Sequence, residues 1–318
     1  MDMTSSARAR QERMVGLLSA LAPNEGYTLC GMPGIKFMRT NRELPRMPVL
    51  YEPCIVIVCQ GHKRGWLGER SFDYHAQQFL VLSVPLPLEG ETVRASEAEP
   101  MLAMSITIDL QMAAELALAV DQAQAGLAAP VPAQGIMATP MDDALGDAVL
   151  RLLQALTSPL ETQLLGAGLQ REILFRVLTG VQGGALRAAL AHQSQFGKIG
   201  KALRRIHAEY HTAIDVTTLA GEAGMSLAAF HAGFKAITLT SPIQYLKTTR
   251  LHKARLLMVQ DGLSAASASG RVGYESTSQF SREFKRFFGR TPLEEARQMR
   301  NLLAQSPGTS PGRYVSAQ

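Results

Sequence analysis

Apolar residues recur along this chain in two rhythms, and the change from one to the other divides it. Met14, Leu17, Leu18 and Leu21 fall at helical spacing and predict a short amphipathic helix within residues 1–22. Residues 23–108 lose that period. The runs GIKFMRT, PCIVIVC, QFLVLSV, ETVRAS and MLAMSITI alternate with Pro and Gly, and Gly61, Gly65 and Gly68 break the chain around Trp66. Many short strands separated by turns predict an antiparallel sandwich or small barrel rather than βαβ units.

From Asp109 the helical period returns. DLQMAAELALAVDQAQ starts at an Asp suited to capping, and AAPVPAQGIMATP reads as a Pro/Gly loop. MDDALGDAVLRLLQAL carries acids in its first turn, and ETQLLGAGLQREILFRVLTG ends at Gly180. In this last helix Leu165, Leu169, Ile173 and Val177 fall one turn apart. That stripe fits a core face or a seam between two chains. Gly183, Gly184 and the polar HQSQ make residues 183–196 a candidate linker. Every later segment up to about Leu303 reads as helix, and residues 304–318 read as a disordered tail.

Charge follows the same division. The net charge of the 318 residues is +5. Residues 1–195 hold 15 Lys and Arg against 19 Asp and Glu, whereas residues 196–303 hold 16 against 8. A basic C-terminal third on a mildly acidic body points to a nucleic-acid-binding module joined to something else. No stretch approaches the ~18 uncharged apolar residues that span a bilayer, and the start lacks the apolar core of a secretory signal. The expectation is a cytoplasmic protein without a membrane partner. Cys30, Cys54 and Cys59 are odd in number and show no CxxC spacing, so reduced thiols are expected rather than a disulfide framework or structural zinc site.

The basic third carries the chemistry. In VTTLAGEAGMSLAAFHAGFKA, Leu219 and Ala220 share a face, and Gly224 follows four residues after Ala220. A helix–turn–helix needs that small residue for close helix passage, and a turn residue that tolerates positive φ. Ser226 can then cap a second helix whose Phe230 and Phe234 return to the shared core. The pattern recurs: Ala268, Ser269, Val272 and Gly273 repeat the first spacing, and Phe280 with Phe284 repeats the second. Between the copies runs SPIQYLKTTRLHKARLLMVQD, a helix of about 19 residues and thus roughly 28 Å. Such a rod could hold two recognition helices about one DNA turn (~34 Å) apart.

Residues from about Ile199 to Arg300 resemble the DNA-binding domain of the AraC/XylS family of transcription regulators. The resemblance rests on DGLSAASASGRVGYESTSQFSREFKRFFGRTPLEEAR, with its RVGY, SQFSREFKRFFG and TP pieces, and on SPIQYLKTTRLHKARLLM as the connecting helix. The upstream region resembles the cupin-like effector and dimerisation domain of such regulators. The implied fold is α+β in two domains: an N-terminal cupin-like β-barrel or sandwich with flanking helices, and a C-terminal all-α, homeodomain-like double helix–turn–helix. The implied division is an effector and dimerisation domain over 1–182 (barrel 23–108, helices 109–180), a linker over 183–196 and a DNA-binding domain over 197–303.

Carried over by position, the resemblance implies base contacts from Thr277, Ser278, Gln279 and Arg282 in the second recognition helix, and from Ala228, His231 and Ala232 in the first. Gln suits adenine, Arg suits guanine or phosphate, and hydroxyls suit either. Two alanines offer only apolar contact, so half-site reading at that end is expected to be weak or A/T-biased. Lys235, Lys247, Arg250, Lys285, Arg286 and Arg290 form the expected phosphate-neutralising set. Gly270 weakens its helix by roughly 1 kcal/mol.

A cupin-type metal enzyme with an accessory helical domain is the rival reading. Metal ligation would need two or three histidines and a carboxylate in strand register. The barrel region has His62 and His75, with Glu69 and Asp73 between them and no HxH. No metal, cofactor or catalytic residue is therefore expected. A small effector would instead meet Arg39, Tyr51, Trp66, Phe72 and Tyr74, with Lys63 and Arg64 available for an acidic group. The expected partners are promoter or operator DNA, RNA polymerase, that effector and a second copy of the chain. The resemblance implies an activator controlled through the N-terminal domain.

Overall fold

The computed structural model describes residues 5–123, 136–181, 183–190 and 195–304. It opens with helix α1 (Ser5–Leu21), which buries Met14 and Leu18 as its period predicts. Ten described strands and the helices α2 to α5 follow, then seven further helices.

The strands are β1 (Gly26–Leu29), β2 (Ile35–Thr40), β3 (Leu44–Tyr51), β4 (Cys54–Gln60), β5 (His62–Leu67), β6 (Arg70–His75), β7 (Gln78–Leu82), β8 (Leu86–Arg94), β9 (Met101–Thr107) and β10 (Ile136–Pro140). They form two antiparallel sheets, ordered β1-β2-β9-β4-β7-β10 and β3-β8-β5-β6. Strand β4 shows why its run is apolar throughout. Side chains alternate across a sheet, and here both faces are covered. Ile55, Ile57 and Cys59 face the helical layer, while Cys54, Val56 and Val58 face the second sheet.

Three features correct the expectations. Gly61 and Gly68, at φ +85° and +62°, break the chain on either side of β5, but Gly65 does not: it lies inside that strand. In the β5–β6 hairpin Gly68 makes the turn and the Phe72 ring covers Gly65 across the pair. LPRMPVLY escaped notice because Pro45 and Pro48 argue against a strand. It forms β3 at a sheet edge, where a missing N–H is tolerated. IMATP, expected in a loop, forms β10 on the edge beside β7.

Helices α2 (Leu110–Ala123), α3 (Asp143–Ala155), α4 (Pro159–Thr179) and α5 (Gly183–Leu190) cover the six-stranded sheet together with α1. Asp142 and Ser158 cap α3 and α4, and Arg10 of α1 donates to Asp143 and Asp147 of α3 at 2.6 and 3.0 Å. The stretch expected as a linker, 183–196, holds α5 and the start of α6 (Gln195–Glu209). Residues 182 and 191–194, and the expected tail beyond 304, lie outside the described residues. No described helix is long and apolar enough to cross a membrane.

The C-terminal part continues with α7 (Val216–Glu222), α8 (Leu227–Thr238), α9 (Pro242–Gln260), α10 (Ala265–Arg271), α11 (Thr277–Phe288) and α12 (Pro292–Ala304). Its first half has no separate core. Phe196, Ile199, Leu203, Leu219, Phe230 and Phe234 share one apolar cluster with Val56, Leu80, Leu86 and Leu88 of the sandwich. The second half has its own, built from Leu251, Met258, Val272, Phe280, Phe284 and Phe288.

Candidate nucleic-acid interface and interdomain cavity

The duplicated pattern folds into two helix–turn–helix units. Asp215 and Ser226 cap α7 and α8, and Ser264 and Ser276 cap α10 and α11, each accepting from the backbone N–H three residues on. Gly224 and Gly273 take φ +62° and +84° in the turns, in the left-handed region that glycine enters without steric penalty. A Cβ at Gly273 would lie 2.5 Å from the His211 carbonyl oxygen, so that turn requires glycine twice over. The rod α9 spans 19 residues, as the sequence predicts, and is buried on most sides.

Both recognition helices expose the residues expected to read bases. Ala228, His231 and Ala232 of α8 are exposed, as are Thr277, Ser278, Gln279 and Arg282 of α11. Phe280, Phe284 and Phe288 occupy the opposite, buried face of α11. The outer face of α11 is organised by Glu283, which the sequence reading missed. Its carboxylate accepts from Lys247 at 2.9 Å, Tyr274 at 2.8 Å and Gln279 at 3.1 Å. Burial opposes its ionisation, but these three donors, Lys247 foremost, hold its pKa below the usual carboxylate range. Gln279 is thereby held beside exposed Arg282 and Arg286.

The expected phosphate set divides. Lys235, Lys285 and Arg286 are exposed at or near the recognition faces. Lys247 is half-buried and paired with Glu283, and Arg290 lies 3.5 Å from Glu295. Arg250 is the correction. Its guanidinium donates to the carbonyls of Tyr210, Thr212 and Gly273 at 2.7, 2.7 and 3.0 Å, bracing the second turn against the end of α6. Three of its five donors are committed inside the fold, and burial lowers its pKa.

The expected seam on α4 also divides. Ile173 and Val177 are fully buried in the core beneath the helices, and Leu169 packs against it. Leu165 is 52% exposed and lies near exposed Leu160 and Leu164. The C-terminal half of the stripe is therefore core, and only its first half faces outward.

The barrel and the rod meet at a polar seam that nothing in the sequence pattern marked. Tyr245 of α9 donates to the Pro85 carbonyl at 2.6 Å, and its hydroxyl lies 2.7 Å from His207 Nε2. Glu52 lies 3.5 Å from His207 Nδ1 and 3.9 Å from Lys253 Nζ. Burial opposes its charge, yet His207 first, and then Lys253 and Lys36, draw its pKa down. Arg255 donates to the Pro48 carbonyl at 2.7 Å and pairs with buried Glu295 at 3.3 Å, joining β3, α9 and α12.

Beside this seam lies a cavity of about 200 Å³, walled by the sandwich on one side and by His252, Arg255, Leu256, Val259 and Met299 on the other. Of the expected effector residues, Arg39 and Tyr51 line it. Tyr74 is buried behind Tyr51, with which it shares a hydrogen bond, and Phe72 lies over Gly65. Trp66 is a correction: it faces away from Lys63 and Leu67 along β5, and the Arg46 guanidinium stacks 4.5 Å from its ring. Lys63 points inward, 8% exposed, and burial alone draws its pKa down to about 8. The folded chain therefore holds this proton less tightly than the unfolded chain. The resulting loss of stability is fully present below pH ~8 and fades as pH rises toward the free lysine value, ~10.4. His62 and Asp73 form a surface pair at 2.7 Å. Among the described residues, no three His, Cys, Asp or Glu gather where they could hold a metal ion.

Comparison with known proteins agrees with this arrangement. The family model described as "AraC-type transcriptional regulator N-terminus" matches residues 31–185, and one described as "Helix-turn-helix domain" matches residues 219–299. The chain is 34% identical over 95 residues to the HTH-type transcriptional regulator AlkR of Acinetobacter baylyi, covering 30% of this chain and 31% of AlkR. It is 27% identical over 96 residues to the Msm operon regulatory protein of Streptococcus mutans, covering 30% and 34%. The chain thus spans about a third of the length of these curated relatives. In fold it is similar to apo ToxT from Vibrio cholerae, with a TM-score of 0.53 at 11% identity, covering 86% of this chain and 98% of that one.

Proposed function

Because this chain belongs to the AraC/XylS family of transcription regulators, we propose that it binds double-stranded DNA at promoter or operator half-sites and controls transcription there. The action is activation through contact with RNA polymerase, in the cytoplasm, by a homodimer. Residues 197–303 form the DNA-binding part, residues 1–182 bind an effector and the second copy, and 183–196 join them. No catalytic step belongs to this function.

The observation that carries the proposal is the pair of capped recognition helices. α8 is anchored by two buried phenylalanines and α11 by three, and each exposes the opposite face. In α11 that face holds Thr277, Ser278, Gln279 and Arg282, with Lys285 and Arg286 beside them. Base edges fall to the first four and to Ala228, His231 and Ala232. Phosphates fall to Lys235, Lys285 and Arg286, joined by Lys247 and Arg290 when DNA competes with Glu283 and Glu295. Leu165, with Leu160 and Leu164, supplies the subunit contact.

The test is selection of bound sequences from a random duplex pool by the full chain, followed by titration of the selected site across salt. Neutralising about six phosphates weakens binding roughly a thousandfold between 50 and 200 mM salt. A flat salt response, or no enriched sequence, would overturn the reading.

A further inference from the structure

A carboxylate on a helix that meets DNA is repelled by every phosphate near it. Glu283 stands in that position, one helical turn after Gln279 on α11. Its side chain is 14% exposed, so it stands at the edge of the reading face rather than on it. Three donors hold it, from the rod, the turn before α11 and α11 itself. Lys247 Nζ at 2.9 Å and Gln279 Nε2 at 3.1 Å share Oε1, and the Tyr274 hydroxyl donates to Oε2 at 2.8 Å. Burial opposes its charge, and these donors outweigh the burial, so the group is ionised. An ionised carboxylate only accepts. The part of Gln279 that faces it is therefore the amide nitrogen, never the oxygen. The backbone of Gln279 is fixed as well, because its N–H donates to the cap Ser276 at 3.2 Å. The amide has left to it Oε1 as an acceptor and one N–H as a donor. That pair complements the major-groove edge of adenine, with its N6 donor and N7 acceptor, and of no other base. A glutamine free to turn its amide over also meets the acceptors of guanine or thymine. The first unit lacks this arrangement: aligned on Phe230 and Phe280, it has Ala229 in place of Gln279 and Gly233 in place of Glu283.

We infer that Glu283 is a positioning residue for sequence reading: it locks the Gln279 amide in the one orientation that pairs with adenine, so that Gln279 selects an A·T base pair. The inference rests on the proposed reading of DNA by α11, and it names the base that one of its side chains takes and the residue that enforces the choice. Glu283 touches no base in this role. Ordering the glutamine before DNA arrives also spares the entropy of fixing it on the base.

The test titrates the full chain with its selected duplex and with a panel in which each base pair is substituted in turn. Gln279→Ala marks the pair that Gln279 reads; that pair is A·T, preferred about tenfold or more by the parent chain. Glu283→Leu keeps bulk, removes the acceptor and cuts this preference below about threefold. Glu283→Ala does the same without a branched side chain. Preference at the pair that Arg282→Ala relaxes persists in both, which shows that α11 is still seated. Glu283→Gln is the rescue. Its oxygen keeps the place that accepts from Lys247 and Gln279, and its amide nitrogen donates to the Tyr274 hydroxyl, so the adenine preference stays within about threefold of the parent. All three variants lose the same charge, so the contrast among them separates the acceptor from general electrostatics. Three results would overturn the inference: Gln279→Ala relaxes a pair other than A·T, Glu283→Leu and Glu283→Ala keep the adenine preference, or Glu283→Gln loses it as completely as they do. Relaxation at a different pair in the Glu283 variants overturns it too, because Glu283 then meets a base itself. Failure to enrich any sequence sinks the proposed DNA reading and this inference together. An enriched site whose A·T preference ignores Glu283 sinks the inference alone.

Discussion

The two helix–turn–helix units share a plan and differ in what they are fastened to. The first, α7–α8, has no core of its own: Phe230 and Phe234 belong to the cluster that fills the sandwich, and Phe234 packs edge-on against Tyr245, 5.4 Å between ring centres. The second, α10–α11, closes on itself through Phe280, Phe284 and Phe288. Their outer faces differ in the opposite sense. The first presents Ala228, Ala232 and His231, and the second presents hydroxyls, Gln279, Arg282 and Arg286. The unit that exposes the less polar face is the one welded to the sandwich. Under the proposed function this separates regulation from recognition: the first unit would carry mechanical coupling, and the second sequence discrimination.

The largest effects come from breaking each anchor. Phe234→Ala and Phe284→Ala each remove a fully buried ring and should each cost about 3–5 kcal/mol of stability. The pattern should differ. Hydrogen exchange after Phe284→Ala should accelerate in α10–α12 and leave the barrel strands protected. After Phe234→Ala it should also accelerate in β7 and β8, because Phe234 supports the Tyr245 hydroxyl bonded to Pro85. Equal spreading from both variants would end the claim that the second unit has an independent core.

Smaller effects come from the reading faces. Arg282→Ala should weaken binding to the selected site by about 1–3 kcal/mol and relax preference at one base position. His231→Ala should cost less, about 1 kcal/mol, because a single hydrogen bond at an exposed position is worth no more. Affinity and base preference measured on a panel of point-substituted sites decide this. A larger loss at His231 than at Arg282 would reverse the assignment of discrimination to the second unit.

Much of this was legible in the sequence because local physics fixed it. The cap Ser226, the turn glycines Gly224 and Gly273 and the paired phenylalanines all signal themselves within a few residues. Edge features did not. The prolines of β3 and Gly65 of β5 oppose strand propensity, and pairing with β8 decides the matter. Nor did the seam. Glu52, His207, Tyr245 and Arg255 are far apart in the chain, and α9 reads as a rod whichever of its faces meets the barrel. Arg250 looked like a phosphate ligand because its three carbonyl partners are backbone atoms, which no side-chain pattern reveals. Trp66 looked like a pocket residue because aromatic character does not say which face of a strand is inside.

The smallest effect tests the one weakness that the sequence assigned to the second unit. Gly270 lies in the last turn of α10, exposed, without a positive φ, and a Cβ built there meets nothing within 4 Å. Its carbonyl accepts from Gly273 N–H at 3.1 Å, a bond that alanine preserves. Nothing in the isolated chain therefore calls for glycine, and alanine should reduce the entropy lost on folding. Gly270→Ala should stabilise the protein by about 0.5–1 kcal/mol in urea unfolding and slow exchange in α10–α12 without slowing it in α7–α8. Free space around the position also means that any loss of DNA affinity has to arise in the complex, from a phosphate backbone that approaches as closely as glycine allows. If stability rises and affinity falls more than tenfold, α10 lies against DNA and the second unit owes its grip to more than α11. If stability falls, the second unit is braced by α10 in a way its own cluster does not show, and the contrast between the two units narrows.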